Sequence, residues 1–447
     1  MNGPNYNFLH LSEMTSIAHF FTFLSLGMAL WLPESGPAPL PQPPAFPDSL
    51  LRVRITCVGD LMCHGPVFQC AKQADGSYDF GPMYDPVREY LASADFTLGN
   101  LETVLAGTTT DYSGYPQFNS PNSYADALKQ VGFDALFTTN NHSYDKFEAG
   151  TIRTLDELKK RRLPAVGTHY DQRDRDSVRL FSVKGIRIAL LAYTEFSNIP
   201  VPAAKAYLVN QIDSALIARD IAAARRLGAE LVLVNLHWGN EYQRFPNDYQ
   251  KRTAALTFAL GADVVFAEHP HVLQPVQMTK LPAQAQGFRP GLDSGLVAYS
   301  LGNFISNQQK RFTDAGVMLS IVIEKNLRTG KKRIAGVEHV PTWVYKGPAG
   351  GRNRFIILPA FAGYAAQFPS FMQHLVPSEL VYLNSEARGR AQQAYQDSKY
   401  ILGQYYAQAR SVPWADSPRL SLLVPPLVRE RWRPMPLSGR PGAKLGK

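Results

Sequence analysis

The chain has 447 residues, and with 45% hydrophobic side chains it can bury a full core as one large domain plus extensions. Its net charge of +9 sits mostly in the tail, where Glu386 to Lys447 carries eleven Lys/Arg against four Asp/Glu. The rest is nearly balanced and has no zinc-finger or recognition-helix pattern, which excludes a nucleic-acid groove as partner; the tail suits a solvated extension or an anionic surface. Cys57, Cys63 and Cys70 are too few and too close together for a disulfide framework. A Cys63–Cys70 bridge is conceivable, but free or buried thiols are expected.

Met14 to Leu32 is an apolar run of nineteen residues without a formal charge, followed by prolines to about Pro47. It fits an export signal or a single membrane-crossing anchor, with the Pro-rich stretch as a stiff spacer. The expected organisation is therefore a leader or anchor (1–33), a linker (34–51), a catalytic domain (52–340) and an extension (341–447). That extension is helical in composition over Ser378 to Gln408, then rich in Pro and Arg, and carries no assignable chemistry.

From Arg52 onward, short β-forming runs alternate with helical stretches. Strands are predicted at Val53–Val58, Phe96–Leu98, Ala135–Thr138, Leu163–Val166, Arg187–Tyr193, Leu231–Leu236, Val264–Ala267 and Leu296–Leu301. Helices are predicted at Tyr124–Val131, Glu148–Arg161, Ser214–Leu227 and Asp248–Leu260. The alternation reads as βα throughout, an α/β protein whose sheet is covered by helices.

The chemistry gathers where these strands end, the edge at which open α/β sheets bind ligands. The ends supply Asp60, Asn100, Glu102, Asn141, His142, His237, His269 and His271, a mixture of carboxylate, amide and imidazole that suits two divalent ions such as Zn, Mn or Fe. Five of the ten histidines (His64, His142, His237, His269, His271) fall in these segments. In His269-Pro270-His271 an extended backbone would turn both imidazoles to one side, stiffened by the proline. Each residue also has a purely structural reading. Asp60 could cap the next helix, Glu102 lie on the surface, Asn141 sit in a turn at positive φ, His237 be a packed ring, and Gly302-Asn303 be a turn.

The motifs Gly59-Asp60-Leu61-Met62, Gly99-Asn100-Leu101-Glu102, Asn140-Asn141-His142 with Asp145, His237-Trp238-Gly239-Asn240-Glu241-Tyr242, His269-Pro270-His271 and Ser300-Leu301-Gly302-Asn303-Phe304 resemble, in this order, those of the bacterial capsule-synthesis CapA family. That family is the poly-γ-glutamate-associated branch of the calcineurin-like metallophosphoesterases. The resemblance implies a four-layer α/β/β/α sandwich with a dinuclear site at one edge, in an exported or membrane-tethered protein. It also implies Asp60, Asn141, His237, His269 and His271 as metal ligands, with Glu102 or Asn100 as the bridging group. His142 would protonate the leaving group, oriented by Asp145, and Glu241, Tyr242 and Asn303 would line the substrate pocket. Two features depart from the superfamily pattern. The early Asp-x-His is absent, leaving His64 as a substitute ligand or a ligand missing, and Glu268 stands where glycine is usual.

The function expected is a cell-envelope metal-dependent hydrolase or transferase acting on an anionic polymer or phosphoester in capsule or poly-γ-glutamate synthesis. The alternatives are a non-catalytic anchored scaffold within a membrane-embedded polymer synthesis and export complex, or an anion-binding module using the basic tail.

Overall fold

The computed structural model describes residues 49–281, 292–349, 351–360, 383–403 and 410–411. The expected leader or anchor, its proline spacer and the Pro/Arg-rich tail lie outside them. Among the described residues no helix is long and apolar enough to cross a membrane.

Two sheets face each other. The strands are β1 (Leu50–Leu61), β2 (Phe96–Leu101), β3 (Ala135–Phe137), β4 (Ala165–Val166), β5 (Arg179–Val183), β6 (Ile186–Thr194), β7 (Leu231–His237), β8 (Val264–Glu268), β9 (Val276–Lys280), β10 (Ser294–Ala298), β11 (Asn303–Ile305), β12 (Ala315–Asn326), β13 (Lys332–Ala349), β14 (Arg352–Pro359) and β15 (Arg410–Ser411). The first sheet runs β14-β13-β12-β1-β2-β3-β4, with β11 beside β1 and β15 beside β13; the second runs β5-β6-β7-β8-β10-β9.

Alternation along β1 explains how the layers meet. Val53, Ile55 and Cys57 point into a core shared with the second sheet, together with Phe96, Leu98 and Phe137. The long helices are α3 (Ser123–Val131), α4 (Phe147–Lys160), α6 (Ser214–Arg226) and α7 (Asp248–Leu260), with short α1 (Gly65–Ala71), α2 (Arg88–Ala92) and α5 (Gln172–Arg175) between them. Leu128, Val131, Leu155 and Leu158 of α3 and α4 cover the outer face of the first sheet. Ile217, Ile221, Ala254 and Phe258 of α6 and α7 cover the second. The result is the expected α/β/β/α sandwich, each buried Leu, Ile or Phe stabilising it by about 1.5–3 kcal/mol.

Local signals fix the helix ends. Asn247 and Gln250 form a capping box at the start of α7, and α3 and α7 each stop at a left-handed glycine, Gly132 (φ 113°) and Gly261 (φ 119°).

The uniform βα pattern holds only for part of the chain. Strands β12, β13 and β14 are an antiparallel meander, with β12 paired along β1 from Leu50 to Val58. The expected domain end at residue 340 falls inside β13, which continues to Ala349 and pairs with β14. Leu296–Leu301 is also not one strand. Strand β10 ends at Ala298, and the chain crosses to the first sheet, where β11 begins at Asn303. A further helix, α8 (Ser385–Gly403), packs Ala391 and Ala394 against Trp343 and Ile356.

Candidate metal centre

Register brings the strand ends together. Asp60 lies opposite Asn100 on β2 and Asn303 on β11, and His237 lies opposite Glu268 on β8. A bulge between Val58 and Asp60 lets the end of β1 turn toward the second sheet. Gly59 is essential to this approach, because a Cβ there would stand 1.9 Å from the Gly302 carbonyl oxygen. That oxygen accepts the Asp60 N–H at 2.9 Å.

Asp60, Glu102 and His237 are fully buried and each presents a ligand atom within 4.8 Å of the others. Asp60 Oδ2 is 3.0 Å from His271 Nδ1, and Glu102 Oε1 lies 3.8 Å from His237 Nε2 and 3.9 Å from His271 Nε2. His237 and His269 have ring centroids 4.9 Å apart, and His269 and His271 5.9 Å. Asn141 Oδ1 is 2.8 Å from His237 Nε2. Asp60, Glu102, Asn141, His237, His269 and His271 therefore meet in one place, drawn from both sheets. The structural alternatives fall away for two of them: His64, not Asp60, stands at the start of α1, and Glu102 is buried rather than on the surface.

Three expectations need correction. His269 and His271 do not converge by an extended backbone; the chain turns after Glu268, and both take positive φ, 98° and 55°. Such left-handed conformations cost about 1–3 kcal/mol each and persist only where surrounding structure imposes them. Asn100 turns its Oδ1 to Asn140 Nδ2 at 3.0 Å and donates Nδ2 to Asp60 Oδ1 at 2.8 Å. It thus offers the group an N–H rather than a lone pair. Asn303 is buried behind His271, accepting from its Nδ1 at 3.2 Å and donating to Thr313 O at 2.8 Å, so it orients that ring and does not line a pocket. His64, expected as a substitute ligand unless one is missing, directs its ring to the backbone and to Phe118. Its Nδ1 accepts the Asn307 N–H at 3.3 Å, and its ring meets Phe118, which in turn meets His142.

The donor set fits a cation. Among the described residues, Glu102 Oε1 and His269 Nδ1 are buried without hydrogen-bond partners. Burial, then the charge of Asp60, pushes the Glu102 pKa well up. Burial pushes His237 well down and His269 down to about 3, each helped by neighbouring histidines, so both rings are neutral; His269 keeps Nδ1 without a partner, while His237 has Nδ1 3.3 Å from Asn100 Nδ2 and Nε2 on Asn141 Oδ1. For His271, burial is outweighed by Asp60, and its pKa lies above the ordinary value. No Lys or Arg among the described residues pairs with Asp60, Glu102 or Glu268.

Nearby, buried His142 donates Nδ1–H to Asp145 Oδ2 at 2.7 Å, leaving Nε2 near Asn198 Nδ2 at 3.3 Å. Asp145 also accepts the Phe118 N–H. Glu241 and Tyr242 are exposed, with the Tyr242 ring 6.3 Å from His271. Tyr242 takes φ 66°, held by its N–H on Pro270 O at 2.8 Å. Sequence reasoning missed Asn198 and Phe118 because neither ends a strand. It noticed Glu268 only as a departure: the side chain is buried, accepts from Asn235 Nδ2 at 2.6 Å, and has its pKa raised by burial and Asp60.

The profile of the family described as bacterial capsule synthesis protein PGA_cap matches residues 54–308. The capsule biosynthesis protein CapA of Bacillus anthracis is 27% identical over 63% of this chain and 69% of its own length. The PGA biosynthesis protein CapA of Bacillus subtilis is 27% identical over 72% and 80%. Among solved structures, the calcineurin-like phosphoesterase YfkN of Bacillus subtilis superposes with a TM-score of 0.37 at 14% identity, covering 79% of this chain and 99% of that one. A Mycoplasma pneumoniae phosphatase gives 0.39 at 12% identity, covering 65% and 94%. The profile runs through every donor from Asp60 to Asn303 and over more than half of the sequence, so the chain belongs to the PGA_cap family of bacterial capsule synthesis proteins.

Proposed function

We propose that the protein is a metal-dependent hydrolase or transferase of the cell envelope, acting on an anionic polymer or phosphoester in capsule or poly-γ-glutamate synthesis. The observation that supports this most is the buried set Asp60, Glu102 and Glu268 with His237, His269 and His271 around it and no Lys or Arg among the described residues paired with it. Asp60, Glu102, Asn141, His237, His269 and His271 would hold two divalent ions. Bound there, such ions supply Lewis acidity and a water made nucleophilic at neutral pH. Asp60 and Asn303 hold the His271 ring by its Nδ1–H, leaving Nε2 toward Glu102. His142, with Nδ1–H on Asp145, has Nε2 near Asn198, and its imidazolium would pass a proton to a leaving group while Asp145 stabilises the charge. Phe118 packs edge-on against the same ring and fixes its plane. Glu241 and Tyr242 would contact the substrate.

Elemental analysis of the purified protein, with turnover of a generic phosphodiester and of a γ-glutamyl amide, tests this. Wild type should carry about two equivalents of metal. His237→Ala should lose both metal and turnover, and His142→Ala turnover alone. A metal-free, inert wild type would favour the anchored-scaffold role instead.

A further inference from the structure

A second feature lies away from the candidate metal centre. It is an open groove of about 2100 Å³ at the opposite end of the strands. Its walls come from the segment before β3 (Val131–Asp134), the segment before β4 (Arg162–Ala165), the start of β5, and the last turn of α6. Seven cationic side chains line it: Arg88, Lys129, Lys159, Arg162, Arg173, Arg179 and Arg226. Against them stand Asp134, Asp171, Asp174 and Asp176.

The pairing decides what the groove offers. Every one of the four carboxylates is engaged. Asp134 accepts the Thr97 N–H, Asp171 caps α5, Asp174 holds Arg179, and Asp176 holds Arg219. Arg88 is taken by Asp85. Arg162, Arg173 and Arg226, however, are exposed and make no ion pair among the described residues. Lys159 lies over the face of Tyr170, 5.8 Å from the ring centre, and makes no ion pair among the described residues. Residues 49–360 hold 35 Lys/Arg against 29 Asp/Glu, and this groove, with seven against four, carries half of that excess. The floor is apolar, with Leu155, Val178 and Leu227. No exposed, unengaged aromatic ring lines it, since Phe133 is buried and Tyr170 is bonded to Asp156. Bases would therefore find nothing to stack on, which disfavours single-stranded nucleic acid.

We propose that this groove binds an extended, flexible polycarboxylate, separately from the metal centre, with Arg162, Arg173 and Arg226 as its main contacts. Guanidinium groups suit this role because their planar donors match carboxylates bidentately. Such a site would keep a long anionic chain attached while the far edge of the sandwich acts on another part of it.

The test uses fluorescein-labelled polyglutamate in anisotropy titrations of the protein, with polyglutamine and single-stranded DNA of equal length as comparators. Binding should be selective for polyglutamate, weaken as salt rises, and survive both a chelator and His237→Ala. The triple variant Arg162→Glu/Arg173→Glu/Arg226→Glu should weaken it by at least about tenfold. The milder Arg162→Gln/Arg226→Gln, checked by circular dichroism, covers the event that charge reversal disturbs folding, and should weaken binding measurably. Polyglutamate binding that is absent, indifferent to these arginines, or lost with His237→Ala would overturn the proposal, as would tighter binding of DNA. The readout needs neither metal nor turnover, so its failure is distinct from failure of the metal-dependent reading.

Discussion

Glu102 shows how one side chain can oppose the fold and serve the site. Its carboxyl is buried beside Asp60, and its raised pKa means that ionising it costs the metal-free protein stability. The folded state holds its proton above the ordinary carboxylate range, so this cost grows as pH rises above about 4.5. Glu102→Gln should therefore leave the chelator-treated protein as stable as wild type or more so at pH 7, while lowering metal affinity by at least about tenfold. Thermal melts of the metal-free forms and a competition titration with a metal indicator would read the two effects separately. A structural carboxylate would show the opposite, with lost stability and unchanged affinity. His339 offers a second residue-scale prediction, far from the metal. It is buried on β13, and burial holds its pKa down to about 4. The unfolded chain binds this proton near pH 6.5 and the folded one does not, so stability is lost as pH falls from about 6.5 to about 4, by about 3 kcal/mol. The difference in melting temperature between wild type and His339→Leu should change over that window and be flat above pH 7.

Among the elements, the junction of β1 with β11 is the least tolerant. Asp60 reaches the centre because Gly59 lets the Gly302 carbonyl sit against it, and Gly302 itself turns at φ 66°. Gly59→Ala should cost about 1–3 kcal/mol by overpacking and weaken metal binding by moving Asp60. Gly65→Ala, where an added Cβ meets nothing within 4 Å, is the control and should alter neither the melting temperature nor a metal titration. The same junction marks what could be read in the sequence and what could not. Asp60, Glu102, Asn141, His237 and the two late histidines were legible because each closes a short β-run or follows it, and helix ends were legible from Asn247, Gly132 and Gly261. The β12–β14 meander was not, because its pairing with β1 joins residues more than two hundred apart and leaves no local period. The roles of Asn100 and Asn303 were not legible either. A spacing shows that an amide is near a centre, but only its hydrogen bonds show which of its two ends faces it.

Across the whole molecule, the candidate metal centre is a seam between the two sheets. Asp60, Glu102 and Asn141 come from the first sheet and its loops, while His237, His269 and His271 come from the second. Cations bound there would join the sheets at an edge where the metal-free protein holds mutually repelling buried carboxylates. Folding and loading are thus linked: a ligand that binds only the folded state stabilises it by about 2.7 kcal/mol when present at a hundred times its dissociation constant. Adding Zn, Mn or Fe to chelator-treated protein should raise the melting temperature, and hydrogen exchange should slow most at the carboxyl ends of β1, β2, β7 and β8. The groove beyond the amino ends, with its floor at Leu155 and Val178, should exchange as before, because it lies outside the seam. Glu102→Gln should blunt the shift in the first set of amides and leave the second untouched. If slowing instead spread evenly over both ends of the sandwich, the bound ion would be acting on global stability from some other place, and the seam would not be its site.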